Sequence, residues 1–101
     1  MSAKMRFGSY TGTGASLNIE VGFIPDFLIV VNVTDGDIMH FWFDGMTAGA
    51  STDIGAAVIA NPTGSISRFT GTPATVGQGF ATGADASESA KVYRWAAFQS
   101  A

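Results

Sequence analysis

The sequence predicts an all-β protein: a small antiparallel β-sandwich, jelly-roll-like, with seven to eight short strands. Short apolar segments recur along the chain, and turn residues separate them at the spacing typical of such folds. The 13 glycines, with many Thr, Ser and Ala residues, favour strands and loops over packed helices. A chain of 101 residues can build one modest core but not two, so residues 1–101 are expected to form a single domain.

The most apolar stretch, residues 22–45, predicts a β-hairpin around Asp35-Gly36. Asp-Gly suits a two-residue type I′ turn, in which both residues have positive φ. This turn would pair Thr34 with Asp37 and set the register of both strands. Alternation then predicts a core face, made of Leu28, Val30, Met39, Phe41 and Phe43. It predicts a second, opposite face, made of Ile29, Val31, Val33, Ile38, His40 and Trp42.

This second face is also apolar, and that property suggests a function. Burying five such side chains is worth about 10 kcal/mol, comparable with the roughly 5–15 kcal/mol net stability of a small domain. We therefore expect either a second layer of this chain or another subunit to cover the face.

Alternation and turn residues predict the other strands. These strands are Met5–Thr11, Ser16–Val21, Ser65–Thr70, an edge strand around Val76–Ala81, and Lys91–Phe98. In the second of them, Leu17, Ile19 and Val21 should point inward. In the last, Tyr93, Trp95 and Ala97 should share one face, opposite Val92, Arg94, Ala96 and Phe98.

Residues 46–64 fit two local structures. Asp53 could cap a helical turn that runs through Ile59, although Gly55 disfavours a helix. A long loop across one end of the sheet is the other interpretation, and we favour a loop that acts as a contact arm. Its apolar contact residues would be Ile54, Val58 and Ile59.

The composition argues against several classes of function. The net charge is −3 and the five Lys and Arg residues are scattered, so we expect no nucleic-acid partner. The absence of cysteine excludes disulfides and thiolate sites. The longest aliphatic or aromatic run, Phe27 to Val31, is too short to span a membrane, and no secretory signal is visible. Only 13% of residues are charged, against about 25% in typical soluble proteins, which suits a surface partly buried in an assembly. A compact monomer with an apolar, glycine-rich composition is the alternative.

No residue pattern indicates catalysis or a cofactor. His40 is the only histidine, and no glycine-flanked serine elbow accompanies it, so we expect a structural or interface role and no enzyme. Asp35, Asp37 and Asp44 lack the pattern of a calcium loop, so no metal site is expected. A sugar-stacking platform is the alternative binding site, and its aromatic residues would be Trp42, Tyr93 and Trp95.

Two stretches of the chain are distinctive: a glycine-rich opening, Gly8-Ser-Tyr-Thr-Gly-Thr-Gly14, and the segment Ile19–Val31 with its Gly-Phe-Ile-Pro-Asp corner. Both resemble segments of small structural proteins of tailed-bacteriophage virions and of tail-fibre modules. The final segment, Val92–Phe98, is similar to the aromatic strand that closes those modules.

The resemblance implies a β-sandwich that assembles on a phage particle. Because no shaft or repeat is attached, a capsid decoration (cement) protein that bridges capsid subunits fits better than a fibre. The expected partners are further copies of the chain, as a dimer or trimer, and the major capsid protein. The expected location is the virion, after synthesis in the host cytoplasm. The alternative is a tail- or fibre-associated module that binds a receptor or glycan. The expected contact residues are Ile29, Val31, Val33, His40, Trp42, Ile54, Val58 and Ile59.

Overall fold

Nine strands form two antiparallel sheets in a computed structural model that describes residues 3–36, 38–55, 57–69 and 77–100. The strands are β1 (Lys4–Thr11), β2 (Leu17–Glu20), β3 (Phe27–Asn32), β4 (Met39–Phe43), β5 (Ser51–Ile54), β6 (Val58–Asn61), β7 (Ile66–Phe69), β8 (Gly79–Thr82) and β9 (Val92–Gln99). The helical content of the described residues is one short 3-10 segment, Ala84–Ala86. No helix in these residues is long and apolar enough to cross a membrane.

The predicted all-β sandwich is confirmed. The larger sheet has the strand order β1-β9-β3-β4-β5-β6, and the smaller sheet has the order β2-β8-β7. The first strand therefore pairs with the last and the second with the eighth, a nesting that resembles a jelly roll. The predicted edge position around Val76–Ala81 is wrong for the described part of that segment. β8 lies between β2 and β7 and has partners on both sides.

The predicted register of the central hairpin is wrong by one residue. Ile29 is opposite Phe41 and Val30 is opposite His40, whereas a two-residue turn would place Ile29 opposite Trp42. The cause is the turn that starts at Asn32. Its Oδ1 accepts hydrogen bonds from the backbone N–H groups of Thr34 and Asp35, both at 3.1 Å. Gly36 has a φ of +67°, but Asp35 is not among the described residues with positive φ, so the turn is not type I′. Asp37 lies outside the described residues.

This shift exchanges the residues that face the core. The inward set of β3 and β4 is Leu28, Val30, Asn32, His40 and Trp42, all buried. The outward set is Phe27, Ile29, Val31, Met39, Phe41 and Phe43, which are half-buried or exposed. Met39, Phe41 and Phe43 were therefore wrongly predicted to lie in the core, and His40 and Trp42 were wrongly predicted to lie outside it.

Residues 46–64 do not form a helical turn or a loop along their whole length. They contain the β5–β6 hairpin, in which Asp53 pairs with Ile59 and Ile54 pairs with Val58. Asp53 is a strand residue that faces inward, so it caps no helix. The hairpin extends the larger sheet, with β6 as its last strand.

The core lies between the two sheets, and β9 is an inner strand of the larger one. It pairs with β1 on one side and β3 on the other, and it buries Tyr93, Trp95 and Ala97 as the alternation predicts. Phe80 of β8, in the smaller sheet, contacts the Trp95 ring edge-on, with the two ring centroids 5.6 Å apart. The inward side chains of β2 are likewise confirmed, because Leu17 and Ile19 are half-buried and Val21 is fully buried.

Gly8 makes room for the ring of Trp95. The two residues are directly opposite in the β1–β9 pair, and a Cβ atom at Gly8 would lie only 2.7 Å from Cε2 of Trp95. Such a distance is far below van der Waals contact, so any side chain at this position must displace the indole ring.

We predict that Gly8→Ala lowers the free energy of unfolding by about 1–3 kcal/mol, the usual cost of overpacking a core. Urea unfolding would measure this loss, and near-ultraviolet circular dichroism would report the moved tryptophan. The control is Ser9→Ala at the neighbouring exposed position, for which a change within about 0.5 kcal/mol is expected. Equal stability of the two variants would contradict the close contact.

Tyr10 ties the first strand to the 3-10 segment. Its hydroxyl donates a hydrogen bond to the backbone carbonyl of Ala86 at 2.7 Å, and its ring stacks on Tyr93 with a centroid distance of 5.0 Å. Burial raises the pKa of the Tyr10 phenol far above its ordinary value, and the neighbouring Tyr93 raises this pKa further.

We predict that the protein becomes less stable as the pH rises above about 10, where the phenol of the unfolded chain releases its proton but folded Tyr10 keeps its own. A group whose pKa is higher in the folded than in the unfolded protein stabilises the fold below the unfolded pKa. This stabilisation is lost as the pH rises from the unfolded toward the folded pKa. The loss attributable to Tyr10 should reach about 1.4 kcal/mol near pH 11. Urea unfolding of the protein and of Tyr10→Phe between about pH 8 and pH 11 would isolate this contribution. Parallel pH profiles would contradict it.

Candidate functional site

The outward positions of the larger sheet form one continuous apolar surface, which we call the outer sheet face. Its apolar members alternate with the core residues of each strand and are Met5, Phe7, Phe27, Ile29, Val31, Met39, Phe41, Phe43, Ile54, Val58, Ala60, Val92, Ala96 and Phe98. Cross-strand pairing arranges most of them in rows. One row runs Met5, Phe98, Phe27, Phe43, and the next runs Phe7, Ala96, Ile29, Phe41.

The outer sheet face contains nearly all of the large apolar side chains that the described structure exposes. The exposed fractions reach 70% for Val58, 62% for Phe7, 60% for Met5 and 51% for Phe43. Ile54 and Val92 are also exposed on this face, and Val33, in the turn that follows β3, completes the set. Isolated exposed apolar residues are ordinary, but a contiguous group of this size marks an interaction surface.

Aromatic contacts and a shallow hollow shape this face. Phe27 contacts Phe43 and Phe98, with ring centroids 4.6 and 5.4 Å apart, so these rings form a continuous cluster at one end. A hollow of about 260 Å³ lies over the small side chain of Ala96, between Phe7 and Ile29. A hollow of this kind can accept an apolar side chain from another molecule.

Among the described residues, Arg94 is the only charged one at the outward positions of the six strands. Polar outward residues are restricted to Ser9, Thr11 and Thr52. A surface with so few charged and polar groups forms few hydrogen bonds with water. Contact with another apolar surface is therefore favourable.

Several predicted contact residues lie on the outer sheet face. Ile29 and Val31 are half-buried there, beside the exposed Ile54 and Val58. Val33 is exposed in the adjoining turn. The side chain of Ile59 lies outside the described part of the structure, so its predicted contact cannot be placed. The interface role of these residues stays a prediction.

His40 and Trp42 do not belong to this surface. Their exposed fractions are 1% and 2%, because the one-residue shift of register turns both side chains toward the core. The predicted sugar platform is not formed either, since Tyr93 is fully buried and Trp95 is 7% exposed. The guanidinium of Arg68 covers the Trp42 ring at 5.8 Å from its centroid.

His40 instead belongs to a buried polar network. It lies directly opposite Asp53 across the β4–β5 pair, and its Nδ1 donates to the Asp53 Oδ1 atom at 2.7 Å. Ser51 donates to the same oxygen at 2.5 Å, and Asn61 donates to the other carboxylate oxygen at 3.1 Å. Ser65, just before β7, lies 2.6 Å from the Ser51 hydroxyl and links the network to the smaller sheet.

This network combines the residue types of a catalytic triad without its geometry. In a Ser-His-Asp triad, the serine contacts the imidazole nitrogen that the aspartate leaves free. Here Ser65 lies 3.5 Å from Nδ1, the nitrogen that already contacts Asp53, and the buried Nε2 has no partner among the described residues. Ser51 and Ser65 are 2% and 1% exposed, so solvent does not reach their hydroxyls. The arrangement therefore ties strands together and presents no accessible nucleophile.

Sequence reasoning missed this network because its partners come from separate strands. Ser51 and Asp53 do alternate with Thr52, which is a strand pattern with a polar inward face.

Among the described residues, no group of three or more His, Asp or Glu side chains could hold a metal ion.

We predict that Asp53→Ala lowers the free energy of unfolding by about 3 kcal/mol, because it removes the carboxylate that accepts hydrogen bonds from the buried His40 and Ser51 side chains and from Asn61. Thermal or urea unfolding would measure the loss. The matched control is Asp44→Ala, which breaks the exposed Arg68–Asp44 ion pair of 2.9 Å and should cost at most about 1 kcal/mol. A smaller cost for Asp53→Ala than for Asp44→Ala would contradict the assignment.

The fold and the site define a class of protein: a small β-sandwich whose core contains a buried polar network and whose larger sheet exposes an apolar outer face. Comparisons with models of protein families, with curated protein sequences and with solved structures found no match.

Proposed function

We propose that the protein is a structural protein of a tailed-bacteriophage virion, most specifically a capsid decoration (cement) protein that stabilises the head by bridging capsid subunits. The observation that carries this proposal is the outer sheet face, with its apolar residues uncovered across six strands. Such a face suits a protein that works within an assembly.

Burial of the outer sheet face would supply the stabilising free energy. Each large side chain such as Phe7, Met5 or Val58 contributes roughly 1.5–3 kcal/mol when it passes from full exposure to full burial. Several of these residues covered together would offset the entropy that the subunits lose on binding. A decoration protein acts through such contacts and needs no catalytic group.

The composition and the resemblance support the same proposal. The low fraction of charged residues suits a chain whose surface is partly buried in a particle. The glycine-rich opening, the Gly-Phe-Ile-Pro-Asp corner and the closing aromatic strand resemble phage virion proteins. The chain would be made in the host cytoplasm and would then join the virion.

The alternative, a receptor- or glycan-binding module, has no observation in its favour. Its platform required the rings of Trp42, Tyr93 and Trp95 at the surface, and all three are buried.

The proposal predicts that particles of the virus encoding the chain contain it in copy numbers comparable with the capsid subunits. Quantitative mass spectrometry of gradient-purified particles would measure this ratio. Particles that lack the protein should lose their genome at a lower temperature. Supplying the wild-type protein or Asn18→Lys should restore heat resistance, because Asn18 is exposed on the smaller sheet. Phe7→Lys, which charges the outer sheet face, should not restore it.

Absence of the chain from purified particles would overturn the proposal. A few copies per particle, confined to the tail, would overturn the capsid assignment and favour a tail-associated role.

A further inference from the structure

We infer that the partner covering the outer sheet face is a second copy of this chain, packed sheet against sheet about a two-fold axis. This inference rests on the proposed function, in that it takes the same face as the assembly surface. It names the occupant and the geometry of the contact.

The shape of the face selects a flat apolar partner. Six paired strands present it as a broad sheet surface, and sheets pack face to face at about 10 Å when their side chains interdigitate. No described segment of the chain packs over this face. The residues outside the description contribute two large apolar side chains, Met1 and Val76. A copy of the same sheet is a cover of the right shape and chemistry.

The area is close to the minimum that a specific dimer needs. Six strands about 4.8 Å apart, with about five residues each, give a projected area of roughly 450 Å² per copy. Two copies together therefore approach about 1,000 Å² before the relief of the side chains is counted. This area reaches the lower limit expected of a specific interface.

The single charge on the face indicates the direction of the axis. Arg94 lies in the row of Val31 and Met39, away from the row of Phe27 and Phe98. A two-fold axis that runs across the strands, along the row of Phe7, Ala96 and Ile29, places Arg94 of each copy over the partner's row of aromatic rings. The two guanidinium groups then lie at opposite ends of the interface, where each can contact a ring face.

The same axis passes through this row, so each residue of the row faces its own counterpart. Phe7 of each copy lies over Phe7 of the partner, beside the hollow over the partner's Ala96. A two-fold interface of this kind is self-complementary, which is the commonest arrangement of soluble oligomers.

Sedimentation analysis of the purified protein over a range of micromolar concentrations tests the inference. We expect twice the mass of one chain. Phe7→Lys should weaken the dimer at least about 100-fold, because it places two ammonium groups together near the axis. Asn18→Lys adds the same charge on the smaller sheet and should leave the dimer intact. Circular dichroism would show that both variants remain folded, and Val58→Lys, at the opposite edge of the same face, provides a second variant should Phe7→Lys unfold.

A monomeric or trimeric wild-type protein, or a Phe7→Lys variant that is as dimeric as Asn18→Lys, would overturn the inference. Incorporation into particles is measured separately. A monomer that still decorates particles would overturn the dimer but leave the proposed function standing. A dimer that is absent from particles would leave the dimer standing but overturn the proposed function.

Discussion

The pairing register of β3 with β4 is the constraint on which the rest of the structure depends. It is set by the turn at Asn32, whose side chain accepts the backbone N–H groups of Thr34 and Asp35. Because strand side chains alternate, a slip of one residue would exchange every inward and outward side chain of β4 relative to β3. The observed register places His40 and Trp42 in the core and leaves Phe41 and Phe43 outside.

This register has opposite consequences on the two sides of the larger sheet. On the inner side it brings His40 opposite Asp53, whose carboxylate organises a hydrogen-bonded network that reaches the smaller sheet through Ser65. A network of this kind specifies a single strand arrangement, because a slipped sheet would leave its donors unpaired. On the outer side it collects aromatic and aliphatic side chains that nothing in the described chain covers. The same alternation thus produces a hydrogen-bonded interior and an apolar exterior.

Sequence patterns predicted the strands that have one polar and one apolar face. Residues 17–21 and 92–98 alternate clearly, so the inward side chains of β2 and β9 followed directly. Residues 27–31 and 39–43 are apolar on both faces, so alternation could show that a second apolar face exists but could not say which residues form it. That choice depends on one residue of turn length. The β5–β6 hairpin was missed because Ser51 and Asp53 place polar groups inward, where apolar side chains are the usual signal.

The most direct test of the central claim is a nuclear magnetic resonance measurement of cross-strand contacts between β3 and β4. The structure predicts backbone nuclear Overhauser contacts that join Ile29 to Phe41 and Val30 to His40. Contacts that instead join Ile29 to Trp42 and Val30 to Phe41 would contradict the account. That register would turn Trp42 and His40 outward and separate His40 from the buried carboxylate of Asp53. It would also turn Phe41 and Phe43 of the outer sheet face toward the core.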